Sequence, residues 1–277
     1  MKWLFASDLH GSSIRFRKLF LSVRERDPPA VLLGGDLFPR MGNIEKFLED
    51  ALFDPIRELK VEGISTEFIV ILGNDDPRAY EHILELADKE GLIHYIPMRV
   101  VEVMGVKVAG YPFIHPSPFL LKDWEMYDVS RHLDPGCVSP LEGTRTYDVD
   151  TGSLKYRTIM DDLDELSKMS DPEETVYLFH SPPYMTDLDM SYIGGQMIDH
   201  VPLDPHIGSV AVKRFIEERQ PPVTLHGHVH ESFELTGSFH NRIGTTCSIS
   251  AAGTEKGLVL VTFDPAGKER PEREVLN

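Results

Sequence analysis

Residues 3–11 read Trp3-Leu4-Phe5-Ala6-Ser7-Asp8-Leu9-His10-Gly11, four apolar residues that stop abruptly at a polar cluster. The same grammar returns four times along the chain. Residues 30–33 run into Gly34-Gly35-Asp36, 68–72 into Gly73-Asn74-Asp75-Asp76, and 176–179 into His180-Ser181-Pro182-Pro183. Residues 223–225 run into His226-Gly227-His228-Val229-His230. Short unbroken apolar runs bounded by turn formers suit strands buried on both faces.

Helical patterns stand between these runs. Ile14, Phe16, Leu19, Phe20 and Val23 make an apolar stripe behind Ser12 and Ser13, residues that can cap a helix. Asp76 and Pro77 read as N-cap and first helical residue of a helix reaching about Lys89, and 159–169 and 209–219 complete the set. Strand, polar loop, helix, strand is a βαβ grammar, and its ligands gather at the carboxyl ends of the strands. Elsewhere the pattern changes: 100–103 and 106–109 flank Met104-Gly105 as a hairpin, and 233–235, 242–248 and 258–263 read as antiparallel strands. The sum is a single α/β domain over 1–277, a mixed sheet system packed by helices on its outer faces. Residues 115–157 fit neither grammar. Their aromatics, Phe119, Trp124, Tyr127, Tyr147 and Tyr156, predict an ordered insertion, with a lid as one role for it.

The net charge of −17 over 277 residues repels a polyanion, so duplex nucleic acid is disfavoured as a partner. A small phosphorylated substrate remains open, because bound cations invert the local field. Cys137 and Cys247 make neither a disulfide framework nor a zinc motif. The apolar run at the N-terminus is too short for a signal peptide, and no stretch approaches the roughly 20 apolar residues of a membrane span. A cytoplasmic protein without membrane contact is expected, with a homodimer allowed.

The polar clusters carry the chemistry. Asp8 with His10, Asp36, Asn74, His180, and His228 with His230 offer oxygen and imidazole donors, the ligand types of hard and borderline divalent ions. A carboxylate that bridges two ions lets them share a site. Strand alternation accounts for the spacings of two, since residues i and i+2 point the same way. An Asp-x-His pair arises about once by chance in such a chain, whereas all five segments in this order do not.

Asp8-Leu9-His10, Gly35-Asp36, Gly73-Asn74-Asp75, His180 and Gly227-His228-Val229-His230 together resemble the calcineurin-like metallophosphoesterase superfamily, across residues 8–230. The runs His206-Ile207-Gly208-Ser209 and Gly227-His228-Val229-His230-Glu231 look most like its small prokaryotic members. The resemblance implies a four-layered sandwich of two mixed β-sheets flanked by α-helices. It implies two divalent metal ions (Mn, Fe, Zn or similar): one on Asp8, His10 and His230, the other on Asn74, His180 and His228, with Asp36 bridging. The implied activity is hydrolysis of a phosphodiester or phosphomonoester, a nucleotide among the substrates, by attack of a metal-bridging hydroxide. Asn74 and Arg145 are candidate substrate contacts, and Arg131 and Arg157 offer the same donors. Many members carry His where this chain has Asp75, and an ordinary Asp is a poor proton donor near neutral pH. Asp75 and His226 are therefore the candidate catalytic residues, with His200 and His206 as further donors, and Glu231 as a group that orients a ligand. The competing readings are a non-catalytic metal-binding or partner-binding module on the same fold, and a nuclease.

Overall fold

The computed structural model describes residues 1–193, 197–198 and 200–277. Its strands, in chain order, are β1 (Trp3–Ala6), β2 (Ala30–Gly34), β3 (Glu67–Ile71), β4 (His94–Tyr95), β5 (Arg99–Val103), β6 (Val106–Tyr111), β7 (Thr175–Phe179), β8 (Met197–Ile198), β9 (Val201–Pro202), β10 (Val223–His226), β11 (His240–Ile243), β12 (Thr246–Ser250), β13 (Leu258–Phe263) and β14 (Glu272–Leu276). They form two six-stranded sheets, ordered β14-β13-β1-β2-β3-β4 and β11-β12-β10-β7-β6-β5, beside the small pair β8-β9. In the first sheet β1 to β4 run parallel, β13 lies antiparallel to β1, and β14 lies antiparallel to β13. In the second, β6, β7, β10 and β12 run parallel between the antiparallel edges β5 and β11. Both sheets are mixed, and helices flank them. No helix among the described residues is long and apolar enough to cross a membrane.

Alternation along the strands divides the apolar residues between two cores. Trp3, Phe5, Leu32 and Ile69 of the first sheet meet Val176, Leu178, Leu225 and Ile249 of the second in one cluster between the sheets. Their neighbours Leu4, Ala6, Val31 and Val70 turn outward and pack with Phe16, Leu19 and Phe20 of the helix Ser13–Arg26. On the far side Tyr177 and Phe179 meet Phe215 of the helix Val210–Arg219. Strands covered on both faces need apolar residues at every position, which is why they read as unbroken runs rather than alternating ones.

The structure corrects the sequence reading at several points. The helix expected from Asp76 begins as a 3-10 turn, Arg78–Tyr80, and becomes α-helical only over Glu81–Lys89. Asp76 does not cap it, because its carboxylate turns inward to the amides of Leu37 and Phe38 in the loop after β2 and of Gly73 in its own loop. Residues 233–235 lie in the short helix Ser232–Thr236, which Gly237 closes in the left-handed conformation at φ 73°. The strand expected over 242–248 is two strands, β11 and β12, folded about Gly244 at φ 61°. The helices Ile44–Leu48 and Asp54–Val61, with a π-helical turn between them, had no expectation in the sequence.

Segment 115–157 joins the body through its buried aromatics. Trp124 is 1% exposed and shares the core with Phe113, while its Nε1–H donates to the Asp76 carbonyl at 2.9 Å. Tyr127 is buried too, whereas Phe119 and Tyr156 lie open to solvent. Lys122 and Glu125, both fully buried, pair at 2.5 Å, and Ser117 donates its hydroxyl and amide to the same carboxylate. A buried ion pair of this kind survives because each remaining polar atom finds a partner. Replacing Trp124 with Ala is expected to cost about 3–5 kcal/mol of unfolding free energy, measured by urea denaturation, as for any large core aromatic. A cost near zero would mean that the segment is not part of the folding unit.

Candidate metal centre

Every segment of the candidate centre leaves the carboxyl end of a strand, β1, β2 and β3 in one sheet and β7 and β10 in the other. The loops are laced together by main-chain hydrogen bonds. Asp8 N–H donates to Gly35 O at 2.9 Å and His10 N–H to Asp36 O at 2.8 Å. Within the second sheet Gly227 N–H donates to His180 O at 2.9 Å, and across the sheets His228 N–H donates to Asp8 Oδ1 at 3.1 Å.

Strand alternation does not explain the spacings of two. Asp8, His10, Asp36 and His228 all have left-handed backbone, at φ 58°, 45°, 53° and 72°. The chain turns sharply at each, and that turn, not the pleat, aims the side chain. Non-glycine residues held in this region carry strain of about 1 kcal/mol or more and cluster at functional sites. Two glycines are dictated by close approach. A Cβ on Gly73 would stand 2.6 Å from His180 Cε1, and one on Gly227 would stand 2.6 Å from Asp8 Oδ2.

Six of the seven candidate ligands are brought together directly. One donor atom each of Asp8, His10 and His230 lie within 4.8 Å of one another, as do those of Asp8, Asp36 and His180. His180 Nδ1–H donates to Gly34 O at 2.7 Å, so its Nε2 points the other way, 3.0 Å from Asn74 Oδ1 and 3.4 Å from Asp36 Oδ2. His230 Nδ1 is 3.2 Å from Gly253 O, which turns its Nε2 toward His10 Nε2 at 3.1 Å and Asp8 Oδ1 at 3.3 Å. A backbone carbonyl behind each ring fixes tautomer and aim in the way metal-ligating histidines require. The seventh, His228, has its ring 5.4 Å from that of His180.

This donor set fits a cation. A neutral imidazole whose Nδ1–H is given to a carbonyl presents a bare lone pair at Nε2, and here such nitrogens face each other and carboxylate oxygens. Acceptors aimed at acceptors in a buried place need a positive charge between them. Without metal a proton takes that place. Burial opposes the charged form of His180, but the charge and hydrogen bond of Asp36 outweigh it and push the pKa up to about 10. For His230 burial is likewise outweighed, by the hydrogen bond and charge of Asp8, giving about 9. His228 goes the other way: burial, and then the charge of His180, lower it to about 3, so it stands as a neutral donor. Asp8 and Asp36 are held below the usual carboxylate range against their burial, Asp8 by His230 and Asp36 by His180.

The other candidates fall elsewhere. His226 is fully buried and stacked on Phe179 with centroids 5.6 Å apart; its Nδ1 bonds Ser181 O and its Nε2 Thr224 Oγ1, each at 2.8 Å. With both nitrogens engaged and burial pushing its pKa to about 3, it is a packing residue without a proton to offer. Arg145 does not reach the cluster, since its guanidinium serves the carbonyls of Lys122 and Pro140 inside the 115–157 segment. Arg157 is paired with Asp162, and Arg131 lies over the Tyr156 ring. His206 Nδ1 bonds the buried Asp189 at 2.8 Å, His200 is exposed, and Glu231 accepts from Ser191 rather than from a ligand imidazole. Asp75 stands at the cluster's edge with Oδ2 3.7 Å from His10 Nδ1, and accepts from Arg40 Nη2 at 2.8 Å. Accepting from a guanidinium is the opposite of donating a proton.

Two important roles escaped the sequence reading. Arg40 carries no motif, and only its place four residues past Asp36 could have raised it. Asp76 is fully buried and accepts from the amides of Leu37, Phe38 and Gly73, tying the loop of Asp36 to that of Asn74. Burial and then the charge of Asp36 push its carboxyl up to about 7, against those three donors.

A two-sheet α/β sandwich with Asp, His and Asn donors converging at its strand ends is the architecture of a metal-binding hydrolase. The family model of calcineurin-like phosphoesterases matches residues 1–232, and the chain belongs to that family. No curated protein matches the sequence. Among solved structures, the TT1561 protein of Thermus thermophilus is similar at 16% identity and TM-score 0.58, covering 99% of this chain and 98% of that one. A dimetal phosphatase from Danio rerio is similar at 12% identity and TM-score 0.52, covering 94% of this chain and 92% of that one. Both share the fold.

Because His180 and His230 must give up protons to bind metal, affinity rises with pH below about 9. Calorimetric titration with Mn²⁺ between about pH 6 and about pH 8 should show binding tighten by up to about a hundredfold per pH unit, one decade per proton released. A pH-independent affinity would mean that these rings are not ligands.

Proposed function

We propose that the protein is a divalent-metal-dependent phosphoric ester hydrolase that acts on a small phosphodiester or phosphomonoester, nucleotides included. The observation that carries this reading is the set of unshared lone pairs from His10, His180, His230 and Asn74 converging on the carboxylates of Asp8 and Asp36. Asp8, His10 and His230 would hold one ion, Asn74, His180 and His228 a second, and Asp36 would serve both. Ions bound there supply Lewis acidity at phosphorus and a nucleophile at neutral pH.

The chain's own groups do the rest. Gly34 and Gly253 carbonyls keep the imidazoles of His180 and His230 aimed inward, so the donors need no reorganisation during turnover. The Asp75 amide bonds Asp36 Oδ1 at 2.8 Å and fixes that carboxylate between the two donor groups. Asn74 turns its Oδ1 to His180 and its Nδ2 toward Asp75, where the amide can donate to a phosphoryl oxygen.

Hydrolysis of bis-p-nitrophenyl phosphate and p-nitrophenyl phosphate in the presence of Mn²⁺ tests the reading. Substituting His180 with Ala should lower kcat/KM by at least about a hundredfold, the usual loss when one electrostatic contact of a catalytic centre is removed. Chelation should abolish turnover. Activity that survives EDTA and the His180→Ala change alike would sink the proposal.

A further inference from the structure

We infer that Asp75 is a specificity-determining residue that makes this centre prefer phosphodiesters to phosphomonoesters. The inference rests on the phosphoesterase reading above. Asp75 adds a third carboxylate to the cluster, since one donor atom each of His10, Asp36 and Asp75 lie within 4.8 Å of one another. The side chains of Asp8 and Asp36 are sealed at 2% and 3% exposure, whereas that of Asp75 is 27% exposed. It therefore forms part of the wall that an incoming substrate meets.

The wall is fixed from three sides. The Asp75 amide is held by Asp36 Oδ1, its Oδ2 accepts from Arg40 at 2.8 Å, and its Oδ1 accepts from Asn74 Nδ2 at 3.2 Å. A diester phosphoryl group carries one negative charge near neutral pH, while a monoester carries about 1.5 to 2. The oxygen that differs between them is an uncharged ester oxygen in one and an anionic oxygen in the other. A carboxylate offers that oxygen acceptors only, and like charges a few ångströms apart in a partly buried site repel strongly. Arg40 offsets part of that charge from its outer side. Its side chain is 77% exposed, so solvent screens its charge. The discrimination is thus built against the wrong substrate rather than for the right one.

The test compares wild type with Asp75→Asn, which keeps the shape and removes the charge. Three quantities are measured: kcat/KM for bis-p-nitrophenyl phosphate and for p-nitrophenyl phosphate with Mn²⁺, the Mn content of both proteins, and calorimetric binding of inorganic phosphate and dimethyl phosphate. Wild type should favour the diester. In Asp75→Asn the diester-to-monoester ratio should fall by about tenfold, and inorganic phosphate should bind about tenfold tighter, with dimethyl phosphate changed less. Mn content should match wild type. An unchanged ratio in a protein that cleaves both esters overturns this inference and leaves the phosphoesterase reading standing. Loss of Mn from the variant overturns it too, making Asp75 a ligand. Cleavage of neither ester by wild type sinks the phosphoesterase reading and this inference with it.

Discussion

His230 Nε2 stands 3.1 Å from His10 Nε2 and 3.3 Å from Asp8 Oδ1, and His180 Nε2 faces Asn74 Oδ1 and Asp36 Oδ2 at 3.0 and 3.4 Å. These are acceptors packed against acceptors in a largely buried place. Such an arrangement is unfavourable unless positive charge enters it, so the fold holds the donors where a cation could supply that charge. Much else about the molecule follows from that need. The carbonyls of Gly34 and Gly253 orient the rings, Asp76 cross-links two of the donor loops, and the Asp75 amide pins Asp36.

The two sheets make the convergence achievable. Parallel strands end together at one edge, and the inter-sheet core sets β1, β2 and β3 against β7 and β10 with those edges aligned. Each loop then has only a residue or two in which to turn a polar side chain inward. The turn is made with left-handed backbone at Asp8, His10, Asp36 and His228. It also needs glycine at 73 and 227, where any side chain would strike a donor of the facing loop. Local strain is accepted at the centre because the cores on either side of each sheet over-determine the strand positions.

The edge of the centre is where this chain has its own character. Asp75, Arg40 and Asn74 form a small polar wall beside His10, and segment 115–157 supports the same region from behind through the hydrogen bond of Trp124 to the Asp76 carbonyl.

The central strands, their burial on both faces and the kinds of donor gathered at their ends were legible in the sequence. Apolar runs ending in Asp, Asn or His follow directly from strands covered on two sides with a polar centre at their tips, as at β1–Asp8 and β7–His180. The short helix Ser232–Thr236, the split of 242–248 into a hairpin and the 3-10 start before Glu81–Lys89 were not legible, because tertiary contacts and turn geometry outvote local pattern there. The sequence also offered His226 as a catalytic candidate beside the ligand His228, two residues apart in one run. Left-handed backbone at His228 and the stacking of His226 on Phe179 send one to the centre and the other into the core. Residue type set which atoms were available to hold a cation. Only the packing of the two sheets decided which of them meet, since a lone pair acquires its partners from three-dimensional position and not from neighbours along the chain.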